Sequence, residues 1–253
     1  MLLAIDVGNT NTVIGIYDAD KLLAHWRLET KKERTADEWG IFIKELIKFS
    51  GFEKATIDGV VISNVVPTTF FALTGMCQKY LQQEPVIVGP EIKIDIGIDY
   101  DNPQEVGADR IVNAVAAFHK YKTELIVIDF GTATTFDHVS SEGHYCGGVI
   151  VPGIGISAEA LFQRASKLPR VEISKPKHVI GRNTIESMQS GLYYGYIGLI
   201  DSLVERMEAE IGKKTTVVAT GGLAALIADS KKIQHVEEFL TLEGLKIIYD
   251  WNC

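Results

Sequence analysis

Short apolar blocks, each broken by Gly, Asp, Asn or Thr, open the chain, and their spacing predicts strands at residues 2–6, 12–17 and 22–28. The breaks fall at Gly8-Asn9-Thr10 and Asp18-Ala19-Asp20, which suit tight turns, so the three strands read as an antiparallel meander. The period then becomes helical. Thr35, with Glu38 three residues on, forms a capping box for an amphipathic helix reaching about Phe49, and Gly51 supplies its stop. A buried strand at 59–63, helical spacing at 68–80, a short strand at 86–88 and a helix entered through Gly107–Asp109 complete a β-β-β-α-β-α-β-α half.

The same order starts again at Leu125. Strands at 125–129, 134–138 and 144–151 repeat the meander around the turn Ser141-Glu142-Gly143. A long helix from Thr184 to Ile211 stops at Gly212, a buried strand at 216–219 leads into Thr220-Gly221-Gly222, and a helix over 242–251 closes the chain. Setting residues 6–12 against 129–135 without gaps pairs Asp6 with Asp129, Gly8 with Gly131 and Thr12 with Thr135, each at the first hairpin of its meander. The pattern points to an α/β fold made by duplication, with domains expected at 1–114 and 115–253 and a cleft between them.

A hairpin of Gly, Asn and Thr after a strand ending in Asp presents backbone N–H groups and hydroxyls to phosphate oxygens. Asp6 would stand at the edge of such a cradle, able to hold Mg²⁺ directly or through water. An ordinary tight hairpin is the competing reading of each Asp-x-Gly turn. Two copies, with Thr220-Gly221-Gly222 allowing adenosine close to the backbone, favour a nucleotide.

Composition narrows the partners. The chain has 253 residues, 46% hydrophobic and 23% charged, enough to bury a large core. A formal charge of −8 disfavours a nucleic-acid-binding face, so any anionic ligand must be held by local groups or a metal ion. Every apolar run is broken well before the ~20 residues that cross a bilayer, so no membrane span is expected. Asp6 interrupts the apolar start and no basic segment precedes it, so no secretion signal is expected either. Cys77, Cys146 and Cys253 make no metal or disulfide pattern and suit a reducing cytoplasm. Lys31-Lys32-Glu33-Arg34 reads as a solvated charge run, and Asp137, His138 and His144, without ligand spacing, read as structural.

The two hairpins and the Thr-Gly-Gly turn, in this order, resemble the phosphate and adenosine motifs of the acetate/sugar kinase, chaperone and actin superfamily, and so imply duplicated ribonuclease-H-like domains of actin/hexokinase type. Within it, the runs at 6–12, 100–103, 107–110, 129–135 and 147–153, with Asn183-Thr184, are similar to type III pantothenate kinase over nearly the whole chain. That resemblance implies ATP-dependent phosphorylation of pantothenate to 4′-phosphopantothenate, the first step of coenzyme A biosynthesis. ATP would lie along Asp6, Val7, Gly8, Asn9, Thr10, Asn11, Thr12 and Val13 and at Thr132, with Mg at Asp6 and potassium or ammonium at Asp129. Pantothenate would meet Tyr100, Gly107, Ala108, Asp109, Arg110 and Thr184, with Asp109 the general base and Thr184 contributed from the same or the partner subunit of a homodimer. Leu192, Tyr193, Tyr196, Ile197 and Ile200 are the interface candidates. Another small-molecule kinase of the superfamily, or a nucleotide-binding regulator without catalysis, remains the alternative. Each residue also has a plainer reading: Tyr100 as a loop anchor, Arg110 as a solvated helix residue, Asp109 and Thr184 as helix-start residues.

Overall fold

The computed structural model describes residues 1–52 and 56–253. In chain order the elements are β1 (Leu2–Val7), β2 (Asn11–Asp18), β3 (Lys21–Glu29), α1 (Ala36–Phe49), β4 (Gly59–Asn64), α2 (Phe70–Met76), β5 (Val86–Ile87), β6 (Gly97–Ile98) and α3 (Ala108–Tyr121). There follow β7 (Leu125–Phe130), β8 (Ala133–Val139), β9 (His144–Pro152), α4 (Ile154–Arg164), α5 (Thr184–Ile211), β10 (Thr216–Thr220), α6 (Ala224–Ile227), β11 (His235–Val236) and α7 (Leu240–Asn252). The chain divides into a first unit, Met1–His119 with Leu240–Cys253, and a second, Lys120–Phe239. The split expected at 114/115 falls within α3, and the closing helix belongs with the first unit.

The first unit orders its strands β3-β2-β1-β4-β5, with β2 antiparallel and β4 parallel to β1. Alternation along the strands explains its two covered faces. Leu3, Ile5, Ile14 and Ile16 join Trp39 and Ile43 of α1 in one buried cluster. Gly15, between Ile14 and Ile16, faces the other way, where a side chain would stand 2.9 Å from Cδ1 of Leu242 in α7. Gly244 of α7 lies so close to α3 that a side chain would come within 2.2 Å of the Val112 carbonyl oxygen. The last helix is therefore seated on the first sheet by glycine contacts that helical periodicity alone does not reveal.

The second unit repeats the plan: its strands run β11-β10-β7-β8-β9, with β8 antiparallel and β10 parallel to β7. Ile126, Ile128 and Phe136 pack on Leu192, Tyr196 and Ile200 of α5. Asn183 caps α5 by accepting from the Glu186 N–H at 2.9 Å, and Gly212 ends it in the left-handed conformation at φ 76°. Of the interface candidates, Leu192, Tyr193, Tyr196 and Ile200 are buried and Ile197 is partly buried in this core, so that stripe is taken up within its own unit. Exposed large apolar side chains among the described residues of the unit lie instead at Ile150, Ile156, Leu161, Phe162, Val179, Ile180, Ile185 and Val236.

The charge run also departs from expectation at one residue. Arg34 is 8% exposed, its guanidinium 4.5 Å from the Trp39 ring centre and 4.6 Å from that of Phe42, because the turn before α1 lays its apolar stem against those rings. Among the described residues, no helix is long and apolar enough to cross a membrane.

Candidate active site

Both first strands bury every residue except the half-buried aspartate near the end, Asp6 on β1 and Asp129 on β7. Asp6 stands opposite Val13 and Ser63, and Asp129 opposite Thr135 and Thr220, so the two aspartates are equivalent in sheet register. Register also corrects the ungapped alignment. Val7 pairs with Thr12, whereas Phe130 pairs with Thr134, so Thr12 corresponds to buried Thr134 rather than to Thr135. The connection at residues 8–11 is one residue longer than that at 131–133.

In the first hairpin the Gly8 N–H donates to the Asn11 carbonyl at 3.0 Å, while Asn9 and Thr10 are exposed at the tip. The segment after β3 closes over it: the Thr30 N–H donates to the Thr10 carbonyl at 2.9 Å and the Thr30 hydroxyl to the Gly8 carbonyl at 2.8 Å. In the second hairpin the Gly131 N–H donates to the Ala133 carbonyl at 3.1 Å and the Gly153 N–H to the Thr132 carbonyl at 3.0 Å. Gly221, at φ 94°, lies where a side chain would be 2.5 Å from Asp129 Oδ1 and 2.7 Å from the Phe130 nitrogen. Only glycine brings the Thr220-Gly221 turn that close to the aspartate.

The start of α3 carries the other charged candidates. The Gly107 carbonyl accepts from the N–H groups of Arg110, at 3.1 Å, and Ile111, at 3.2 Å. Asp109 Oδ1 accepts from the Arg110 N–H at 2.8 Å, and the Arg110 side chain is largely buried. Burial pushes the Asp109 carboxyl above the usual range, opposed by that hydrogen bond and by the Arg110 charge. A carboxylate made more basic while held in place is suited to accept a proton. Tyr100, in the same unit, is 37% exposed.

Thr184 lies in the second unit, exposed at the start of α5 on the wall of an open cavity of about 530 Å³ that also involves Leu168, Arg182, Asn183 and Met188. The first unit thus holds residues 6–13, Tyr100 and Gly107–Arg110, while the second holds Asp129, Thr132 and Thr184. Among the described residues, no three or more His, Cys, Asp or Glu side chains form a metal-holding group. The oxygen donors at hand suit hard cations bound through one carboxylate and completed by phosphate oxygens and water: Asp6 beside Ser63, and Asp129 beside Thr135 and Thr220.

The family model described as type III pantothenate kinase matches residues 2–206. The chain belongs to that family. Membership makes it a kinase that uses ATP to phosphorylate pantothenate in coenzyme A biosynthesis. A type III pantothenate kinase of Geobacter sulfurreducens is 58% identical over 253 residues, covering 100% of this chain and 99% of that protein. One from Myxococcus xanthus is 56% identical with the same coverage, 100% and 99%. Among solved structures, the Arthrobacter inorganic polyphosphate/ATP-glucomannokinase aligns with TM-score 0.51 at 14% identity, covering 99% of each chain. The Clostridium difficile activator of 2-hydroxyisocaproyl-CoA dehydratase, with bound ADPNP, aligns with TM-score 0.53 at 13% identity over 98% of this chain and 93% of that one. At such identities these two show the fold alone, the duplicated α/β plan seen in the register of the kinase's two sheets.

Two residues of this kinase that hold its hairpins, Thr30 and Gly153, were not singled out from the sequence. Gly153 lay at the edge of a recognised run, but Thr30 stands well beyond the first hairpin motif and only strand pairing brings it back.

Proposed function

We propose that Asp109 is the general base of the pantothenate kinase reaction, taking the proton of the primary hydroxyl as its oxygen attacks the ATP γ-phosphorus and the bond to the β-phosphate bridging oxygen breaks. The observation that carries this is the Asp109 carboxyl itself, raised in basicity by burial and oriented by the Arg110 N–H. ATP is held along Asp6, Val7, Gly8, Asn9, Thr10, Asn11, Thr12 and Val13, with Thr132 from the second hairpin. Mg²⁺ at Asp6 and potassium or ammonium at Asp129 offset phosphate charge that a protein of formal charge −8 cannot offset broadly. Gly107, Ala108, Arg110 and Tyr100 bind pantothenate, and the Arg110 guanidinium suits its carboxylate.

The partner subunit of a homodimer contributes Thr184 to this pocket. Support comes from Val179, Ile180 and Ile185, exposed apolar side chains on either side of Thr184 in the sequence. A cytoplasmic location fits an enzyme that draws on ATP. The decisive assay follows ATP consumption with pantothenate, and with sugars and acetate as controls, in the presence and absence of potassium. ATP consumption that ignores pantothenate, or a folded Asp109→Asn variant with undiminished turnover, would overturn the reading.

A further inference from the structure

The two hairpins are clamped in the same way by non-equivalent residues. Asn11 pairs with Glu29 across β2 and β3, and Ala133 pairs with Pro152 across β8 and β9, so Thr30 and Gly153 occupy matching places just after the third strand of each unit. Each donates its backbone N–H to a tip carbonyl, Thr30 to Thr10 and Gly153 to Thr132. At Gly153 a side chain is impossible: it would meet the Thr132 carbonyl oxygen at 2.2 Å and that of Gly131 at 2.5 Å. At Thr30 the side chain fits, and its hydroxyl reaches the Gly8 carbonyl, the counterpart of that of Gly131.

Proton bookkeeping fixes the direction of the chain of hydrogen bonds. The Thr30 hydroxyl has one proton and gives it to the Gly8 carbonyl, so the 2.9 Å contact between Thr30 and fully buried Thr12 must be donated by Thr12. The relay runs from Thr12 to Thr30 to Gly8. Among the described residues no peptide bond is cis, and a planar trans peptide sets its N–H opposite its C=O. With the Gly8 carbonyl drawn toward Thr30, the N–H of Asn9 points the other way, away from the Thr30 hydroxyl.

We propose that Thr30 is a positioning residue for ATP: its hydroxyl locks the Gly8-Asn9 peptide so that the Asn9 N–H faces a phosphate oxygen. This rests on the reading that the first hairpin holds the phosphates. The Thr30 hydroxyl acts through the Gly8 carbonyl, so its loss is expected to show in nucleotide affinity before turnover.

The test compares Thr30→Val, which keeps the shape and the backbone N–H, with Thr30→Ser, which restores the hydroxyl. The readouts are titration with Mg-AMP-PNP, KM for ATP and for pantothenate, kcat, and thermal melting. Thr30→Val is expected to weaken AMP-PNP binding and raise KM for ATP by about 5- to 10-fold, with KM for pantothenate unchanged and the larger share of the loss outside kcat. Thr30→Ser should return both nucleotide constants to within about 2-fold of the wild type. Equal losses in the Val and Ser variants, or equal rises in both KM values in step with a lowered melting temperature, overturn the proposal. Gly8→Val, whose side chain would start 3.0 Å from the Asn11 carbonyl oxygen, separates the two levels. If it abolishes AMP-PNP binding while Thr30→Val has no effect, only the role of Thr30 fails. If Gly8→Val binds AMP-PNP normally, the phosphate-loop reading fails and the proposal with it.

Discussion

Replacing Asp109 with Asn separates a base from a helix-start residue because the two roles predict opposite balances of activity and stability. The substitution keeps an Oδ1 acceptor for the Arg110 N–H, now at 2.8 Å, so that hydrogen bond survives at the start of α3. It removes the carboxylate proposed to take the proton. General-base contributions are about 10²–10⁴-fold, or roughly 3–5 kcal/mol of transition-state stabilisation, so turnover should fall by that amount. Burial raises the Asp109 pKa in the folded state, so the native protein holds this proton more tightly than the unfolded chain does. Stability from this group is therefore full at low pH and is lost as pH rises through the raised folded pKa. The neutral Asn should then melt no lower than the wild type near pH 7, and higher if burial of the charge dominates. In the wild type, kcat/KM should fall on acidification through a pKa above the usual carboxylate range. Steady-state turnover, melting and AMP-PNP titration on the same preparation decide the matter. Near-wild-type turnover, or a loss of turnover that tracks a loss of folding, would refute the reasoning.

Asp129→Asn should abolish or greatly weaken activation by potassium, measured as the ratio of turnover with and without the cation; full wild-type activity in cation-depleted buffer counts against the role. Gly221→Ala forces a methyl to within 2.5 Å of Asp129 Oδ1 at φ 94°, and should cost about 1–3 kcal/mol in denaturant unfolding as well as nucleotide affinity. Ile180→Glu on the exposed apolar segment should yield a folded monomer by light scattering with a raised KM for pantothenate, and an unchanged dimer would remove that surface from the interface. For Glu208, burial alone would raise the pKa, but bonds to Lys214 and Lys232 and the Thr215 N–H outweigh it and hold the carboxyl at about 2. Its contribution to stability is present above the ordinary glutamate pKa and is lost as pH falls toward 2, so Glu208→Gln should flatten the acid limb of the melting profile.

The meanders were legible because strand spacing and turn residues are local signals, and the central strands β1 and β7 carry them without interference from partners. Where the sequence misled, a longer-range contact was responsible. The apolar stripe of α5 has the same period whether it covers a sheet or a second subunit, and here Leu192 to Ile200 are absorbed by β7 and β8 of the same unit. Arg34 looked solvated because three charged residues precede it in sequence, but the turn into α1 lays its stem on Trp39 and Phe42. The closing helix gave no sign of its seat, since the fit at Gly15 and Gly244 is made against residues far away in the chain.

The candidate site was legible to the extent that its residues sit in short runs, and the duplication explains the rest. An ungapped comparison identified the aspartates and glycines correctly because they precede the one-residue difference between the hairpins. It failed at Thr12 because that residue follows it, and only sheet register pairs Thr12 with Thr134. The same register matches Thr30 with Gly153, residues with nothing in common as letters. What the two copies share at that place is a backbone N–H aimed at a tip carbonyl, a feature common to all residues but proline and therefore invisible to a motif. Where the longer tip left space, a threonine hydroxyl adds a second clamp. Where the shorter tip closed it, glycine is the residue that fits.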